Sequence, residues 1–570
     1  MNYSLYTGKS SHKEYYRFLI LLFVLSLFAA IIFLPENRLY PGYDAYFHYD
    51  RILTLMDALC DGSFPVYIQS QGANGYGYGT KLFYSDILLI PIAVLALLTN
   101  IVIAYKIYVF FLFFLCGYFT FIAVNKIFRS NKIAYLSAIL ISFAYFRMIA
   151  MFLRGAFGEA LSYVFIPIII WGTYEIISGN YKKWYIFSIG FALLIMSHLI
   201  TSLLTAIMVI IILILNFRKF INEKQRFYAL ITAGIVVVFL SAYGILPLFE
   251  QLTTNVFFQT YHKDLISPAQ NKLSISEIIK GAFTGFFIDD KNVVRFMWDQ
   301  GVGMIITILI LLRIFIRDKS NQIRIADHLL IAGILLTFVT SRFFPWGRFP
   351  FTLLNSIQFP WRLFEYVTFF FAVAGAVYFA VITKTTKKFN VGFSIIIVFI
   401  IGQTIITSYN FRNSKFLSDA SPIPSVENLY NLGSLEYTPA KYVHYDYNFW
   451  DRIAQREEKI ESQYESTDIS GYRHEKSNIQ FSIDTKSKMD SVIVPLFYYV
   501  GYKANFNNQE LPVVQSKNGL LQIPVQGKGV VEVDFSGTTI QKYSFNITLI
   551  SFLLLIFYIL YPHKNKKRLL

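Results

Sequence analysis

Two cysteines in 570 residues are too few for a disulfide framework. Cys60 and Cys116 also lie in unlike settings, a polar loop and an apolar run, so neither a structural bridge nor a metal-thiolate motif is expected. Charge is scarce as well: Asp, Glu, Lys and Arg make up 15% of the chain, against about 25% in soluble proteins. There is no glycine-rich phosphate loop, HExxH, GxSxG or dinucleotide fingerprint in a strand–helix setting. A nucleotide-fuelled pump and a serine hydrolase are therefore unsupported. No internal repeat of fixed period is evident, which weighs against solenoids and repeat-built transporters.

What the chain has is apolar and aromatic surface, 55% and 18% of its residues, and this composition marks a membrane protein. A helix needs about 20 apolar residues to cross about 30 Å of hydrocarbon. Twelve segments meet or approach that length: 18–34, 101–124, 133–152, 160–178, 185–199, 200–216, 227–248, 301–316, 325–341, 363–383, 390–409 and 545–561. The first is followed by Pro35-Glu36-Asn37-Arg38 rather than a small-residue cleavage site, so it reads as an uncleaved anchor. The net charge of +16 sits in short connections (125–132, 181–183, 217–226, 317–324, 384–388) and in the tail 564–568. That is the positive-inside pattern rather than a nucleic-acid surface. It predicts a cell-membrane protein with both termini cytoplasmic. Parity then requires one of 83–98 and 101–124 not to cross. The shorter one, with Pro91, is expected to be re-entrant or interfacial.

The expected architecture is an α-helical polytopic protein of about 12 spans. It divides into a membrane domain over 1–409 with outer loops 36–82 and 250–300, an extracytoplasmic domain over 410–543, and a final helix with a basic tail over 544–570. Within 410–543, Ile479, Phe481, Ile483, then Val492, Val494, Leu496, then Val531, Val533, Phe535 alternate as half-buried strands do. Asn507-Asn508 and Lys517-Asn518-Gly519 supply turns. A small β-sandwich is predicted, with Tyr498, Tyr499 and Tyr502 as rings for ligand stacking or for packing.

Four outer stretches carry chemistry. In the first loop Asp44, His48 and Arg51 are spaced i, i+4 and i+7, which on a helix puts a carboxylate, an imidazole and a guanidinium on one face. That pattern fits either an interfacial amphipathic helix or an acid–base site, with Asp44 taking a proton, His48 orienting and Arg51 holding an anion. Arg154 and Glu159 flank a nearly loop-free turn, as a helix-capping pair or as ligand contacts. His198 sits where two short apolar runs meet, as a helix-end polar residue or a hydroxyl contact. Arg348, Gln358 and Arg362 lie beside Trp and Pro, an arrangement that suits headgroup anchoring or recognition of a lipid phosphate.

The uncleaved first helix, the acidic motif of the first outer loop, the many spans and the outer terminal domain resemble the GT-C superfamily of membrane glycosyltransferases. More closely the chain resembles the bacterial YfhO-like membrane proteins, through Gly42-Tyr43-Asp44 to Arg51, Arg154 to Glu159, Gln358-Phe359-Pro360-Trp361-Arg362, Gly433 to Pro439 and Val494 to Tyr502. The resemblance implies a polyprenyl-phosphate sugar lipid as donor, a cell-envelope glycopolymer or other hydroxyl acceptor on the outer face, and inversion at the sugar carbon. It makes Asp44, His48 and Glu159 the catalytic candidates, and Arg51, Arg154, His198, Arg348, Gln358 and Arg362 the substrate-binding ones. No metal ligands are assigned. A single Glu159 stands where paired acids are usual and the first loop has no Asp-x-Asp, departures that argue against metal dependence; no cofactor is assigned, with a divalent cation as the alternative. The rival reading is a transporter or flippase of lipid-linked sugars, which should carry charges at mid-span depth on several helices.

Overall fold

A computed structural model describes residues 9–40, 42–261, 267–286, 300–413, 436–445, 448–463, 467–486 and 490–561. The motif residues 433–435 and the basic tail 564–568 lie outside these. Eight helices among the described residues are long and apolar enough to cross a membrane: His12–Phe33, Ile101–Phe128, Asn131–Leu153, Phe157–Ile177, Asn321–Thr340, Pro360–Thr383, Thr386–Arg412 and Thr539–Leu560. Each coincides with one of the twelve expected segments. Expected segment 227–248 is instead a pair, Lys224–Leu240 and Ala242–Thr254, bent by 70°. The others are short: Tyr185–Ser197 is followed at once by Leu199–Leu215, and Met304–Leu311 continues only as a tight turn to Phe315. Ile87–Leu98 is likewise too short to span as helix, as its length and Pro91 predict.

Two compact units form from interleaved pieces of chain, 1–48 with 91–229 and 263–424, and 49–90 with 230–262 and 425–570. The first is a helical bundle. Its helices approach closely where side chains are small: a Cβ on Gly172 would come within 2.3 Å of the Phe187 backbone nitrogen. Phe33 stacks on Phe152 with ring centroids 3.7 Å apart. The span Asn131–Leu153 is not continuous. Its helix stops at Ser142, resumes at Tyr145 and ends in a π-helical turn over Ile149–Leu153, a wider winding often found at functional sites.

The second unit contains a β-sandwich, as the alternating pattern predicts. Its strands are β1 (Glu461–Ser462), β2 (Thr467–Glu475), β3 (Asn478–Thr485), β4 (Asp490–Phe497), β5 (Tyr502–Phe506), β6 (Gln509–Leu511), β7 (Val514–Gln515), β8 (Leu520–Val525) and β9 (Lys528–Phe535). They form two antiparallel sheets, β1-β4-β8-β7 and β2-β3-β9-β5-β6. Ile479, Phe481, Ile483, Val492, Val494, Leu496, Val531 and Val533 all point into one buried cluster. Asn507 and Asn508 join β5 to β6 with φ of 49° and 68°, the left-handed pair that a two-residue hairpin needs. Tyr499 and Tyr502 are buried in the same cluster, and Tyr499 donates to the Tyr437 carbonyl at 3.0 Å. Packing, not sugar stacking, is the role these two rings take.

The division at residue 410 needs correction. The sandwich cluster also contains Tyr67, Ile68, Tyr76, Leu82, Phe83, Tyr243 and Phe257, so the unit recruits the first long loop and the 242–257 stretch.

Candidate functional site

Asp44 stands at the very start of the helix that follows it. The helix begins at Ala45, and the Asp44 carbonyl accepts the His48 N–H at 3.3 Å, the first bond of the helical ladder, so Asp44 is its N-cap residue. Its own N–H donates to the Arg154 carbonyl at 2.7 Å. This backbone clasp depends on Gly155, whose φ is +67° and whose missing Cβ would lie 2.6 Å from that of Ala45. One turn into the helix, His48 is buried and stacks flat on Phe157, with centroids 4.8 Å apart and planes 6° apart. Phe157 in turn stacks on Tyr105.

Behind this loop Arg154 and Glu159 form a buried ion pair, 2% and 1% exposed. The Arg154 guanidinium lies 4.6 Å above the Trp361 ring. Arg154 Nε and Glu159 Oε2 are buried with no hydrogen-bond partner among the described residues. Arg362 is brought in by an unusual piece of backbone. Gln358 has φ 66° and ψ −51°, and the Phe359 N–H reaches back to the Ile357 carbonyl at 2.7 Å, which is a γ-turn with Gln358 at its centre, a strained form. Arg362 donates to the same carbonyl at 3.1 Å. The strain therefore aims a guanidinium, as strained backbone at functional positions often does. Gln358 contributes through its backbone.

The charges converge. Asp44 feels Arg154, Arg362 and Glu159, while Glu159 feels Arg154, His198 and Arg362. Burial pushes the Asp44 carboxyl above its ordinary value, Arg154 and Arg362 pull it back, and Glu159 adds to the rise. Yet solvent reaches the Asp44 side chain, and in part His198 and Arg362. Helix Phe157–Ile177 has its N-terminus here with Glu159 in the first turn, where the helix dipole favours negative charge.

Two expected members stand elsewhere. Arg51 is committed to Asp86, with Nε and Nη2 at 2.9 and 2.6 Å from the same carboxylate oxygen, and to the Ser85 carbonyl at 2.9 Å. Its guanidinium lies over the Tyr84 ring at 4.3 Å, and this set leaves no role in holding an anion beside Asp44. Arg348 is exposed in a stretch anchored by Trp346, which is buried and donates to the Val339 carbonyl at 2.8 Å.

No family model matches this sequence. The chain is 21% identical over 617 residues to an uncharacterized protein from Lactococcus lactis subsp. cremoris strain MG1363, an alignment covering 99% of this chain and 98% of the relative. The likeness runs end to end and carries no activity with it.

Glu365 is a site residue that sequence reasoning missed. It is 1% exposed and is bonded by Ser162 Oγ and by Thr201 Oγ1, the latter at 3.2 Å. A carboxylate in the first turn of an apolar run was its signal. Arg147 was missed too. Fully buried within Asn131–Leu153, it donates to the Ser142 and Leu112 carbonyls at 2.7 and 2.8 Å and lies over Phe113 at 4.6 Å. It closes the gap left where that span breaks. Among the described residues no group of three or more His, Cys, Asp or Glu side chains could hold a metal ion.

Proposed function

We propose that this chain is a membrane glycosyltransferase of the GT-C type, moving a sugar from a polyprenyl-phosphate donor to a hydroxyl of a cell-envelope acceptor on the outer face. The observation that carries the reading is the convergence of charge around Asp44, an exposed carboxylate that feels the Arg154 and Arg362 guanidinia, with the buried Arg154–Glu159 pair lying over the Trp361 ring. Asp44, Arg154, Glu159, His198 and Arg362 come from four separate chain segments that the charge pattern assigns to one membrane face, and their convergence supports that assignment.

In the proposed reaction the acceptor hydroxyl gives its proton to the Asp44 carboxylate while its oxygen attacks the anomeric carbon from the side opposite the phosphate. The bond from that carbon to the phosphate oxygen breaks, and the oxygen leaves with the electron pair. Phosphate is already a good leaving group, so cations to receive it matter more than a strong acid. Arg362, and Arg154 behind it, supply that charge, and the planar forks suit phosphate oxygens. Glu159, paired with Arg154 behind Asp44, holds that guanidinium in position. The transporter reading is less well supported: Arg147, a charge deep within a candidate span, is held by two carbonyls rather than lining a path.

Asp44→Asn keeps the side chain's size and removes its proton affinity. Transfer from a polyprenyl-phosphate-linked sugar by the purified variant should fall at least about 10²-fold with membrane insertion intact. In the wild type the rate should decline as pH falls through the Asp44 value, which burial raises above that of a free aspartate. Undiminished transfer by Asp44→Asn excludes Asp44 as the base.

A further inference from the structure

The stretch 341–359 joins two candidate spans, Asn321–Thr340 and Pro360–Thr383, so both its ends are held at one membrane boundary, on the face opposite the basic connection 317–324. Its apolar side chains divide into two sets. Phe344 packs edge-on against Trp346 and Phe351, with centroids 5.1 and 4.5 Å apart. Phe343, Phe349 and Leu353 are instead 61%, 80% and 72% exposed. A second element is tied to the same span end: the Leu273 N–H donates to the Thr340 carbonyl at 3.0 Å, and the Arg342 N–H to the Leu273 carbonyl at 2.8 Å. Leu273 leads into helix Ile275–Ala282, whose start is closed by a capping box between Ser274 and Glu277. Ile275, Ile279 and Phe283, at i, i+4 and i+8, make one stripe, and all three are exposed. The stretches 273–283 and 341–359 hold Lys280, Arg342 and Arg348 against one acid, Glu277, whose carboxylate accepts the Ser274 N–H at 2.6 Å. Arg342 and Arg348 are exposed. Bare apolar side chains in such number mark an interaction face, and at the end of a span the neighbouring phase is the headgroup boundary, where guanidinium meets phosphate.

We propose that helix Ile275–Ala282 and the turns of 341–357 form a lipid-binding face seated in the headgroup boundary of the adjoining leaflet, with their exposed apolar side chains among the upper acyl carbons and Arg342 and Arg348 on the phosphates of anionic phospholipids. Continuity with two spans fixes the place, and the excess of basic over acidic residues selects the lipid class. Both elements lie in the helical unit. The inference is independent of the glycosyl-transfer reading and gives Arg348 a role separate from Asp44.

The test uses the full chain in lipid nanodiscs with Cys60→Ser, which leaves only the buried Cys116. A bimane fluorophore is attached at Leu353→Cys or at Ile279→Cys, with exposed Gln526→Cys, between β8 and β9, as the control in water. The discs contain phosphatidylglycerol and phosphatidylcholine in equal amounts, and one or the other carries a nitroxide quencher on its upper acyl carbons. Both test labels should emit to the blue of the control and be quenched, with the local share of phosphatidylglycerol over phosphatidylcholine raised about fivefold or more, the enrichment that one basic side chain near the surface supplies. In Arg342→Gln/Arg348→Gln the quenching should persist and the preference for phosphatidylglycerol should vanish. Water-like, unquenched emission at either position puts the face in solvent and overturns the proposal. Blue-shifted but unquenched emission overturns it in favour of a protein cover, a second copy of this chain included. Equal quenching by the two lipids in the unsubstituted arginine background, or a preference that survives the double variant, overturns the assignment of Arg342 and Arg348 to anionic headgroups.

Discussion

Asp50 is buried beside Lys81, Asp86 and Arg51, and burial pushes its carboxyl up to about 7. Lys81 and Arg51 pull it down and Asp86 pushes it further up, while Gln69 donates to one oxygen. The other oxygen, Oδ1, has no hydrogen-bond partner among the described residues. Asp44 and Asp50 are thus both raised by burial six positions apart, but Asp44 opens to solvent and Asp50 is sealed. Only the first can exchange a proton with a substrate. The consequence for Asp50 is one of stability. Between its ordinary value of 3.8 and about 7 the folded chain keeps a proton that the unfolded chain has released, so folding loses free energy as pH rises through that window. The slope approaches about 1.4 kcal/mol per pH unit for one group. Thermal unfolding in detergent should therefore show a decline between roughly pH 4 and pH 7 that is shallower in Asp50→Asn. Parallel curves for the two proteins would mean that Asp50 does not carry this proton.

At the scale of elements, the long apolar runs and the alternating strands were legible because each buries one repeating face, and the period survives in the sequence. The site was legible in its members more than in its geometry. Asp44, Arg154, Glu159, His198 and Arg362 stand out as polar groups at the ends of apolar runs. A helical reading also recruited Arg51, because nothing local reveals that its guanidinium is taken by Asp86, 35 positions on. Glu365 and Thr201 were obscured for a different reason: their partners lie 164 positions apart, and hydrogen bonds across that separation leave no local pattern. What decides the geometry is the turn at Gly155. A methyl there would require a left-handed alanine and would press on Ala45, at a cost of at least about 1 kcal/mol from the backbone alone. Gly155→Ala should loosen the Asp44–Arg154 clasp and lower sugar transfer, with the protein still inserted. Gly234→Ala provides the control, since nothing lies within 4 Å of the added methyl. Equal activity of the two variants would show that the clasp does not set the position of Asp44.

For the whole molecule, chain order and spatial order differ most in the unit that holds the sandwich. Composition drew a boundary near 410, where polar residues begin, yet the buried cluster of that unit is completed by Tyr67, Ile68, Tyr76 and Leu82 from a loop some 400 positions earlier. The loop is built in by hydrogen bonds as well. Gln69 and Tyr78 exchange a pair of backbone bonds at 2.9 Å, and the Phe497 N–H donates to the Tyr76 carbonyl at 2.8 Å. Tyr76 stacks on Phe497 with planes 8° apart. If loop and strands are one cooperative body, weakening the strands must release the loop. Phe481, fully buried on β3, is the place to weaken them, because truncation of a core phenylalanine costs about 3–5 kcal/mol. In Phe481→Ala, hydrogen exchange of the Gln69 and Tyr78 amides should accelerate together with that of β3 and β9. Amides of helix Ile101–Phe128, in the other unit, should keep their protection. Unchanged protection at Gln69 and Tyr78 would show instead that the first loop is held independently of the sandwich.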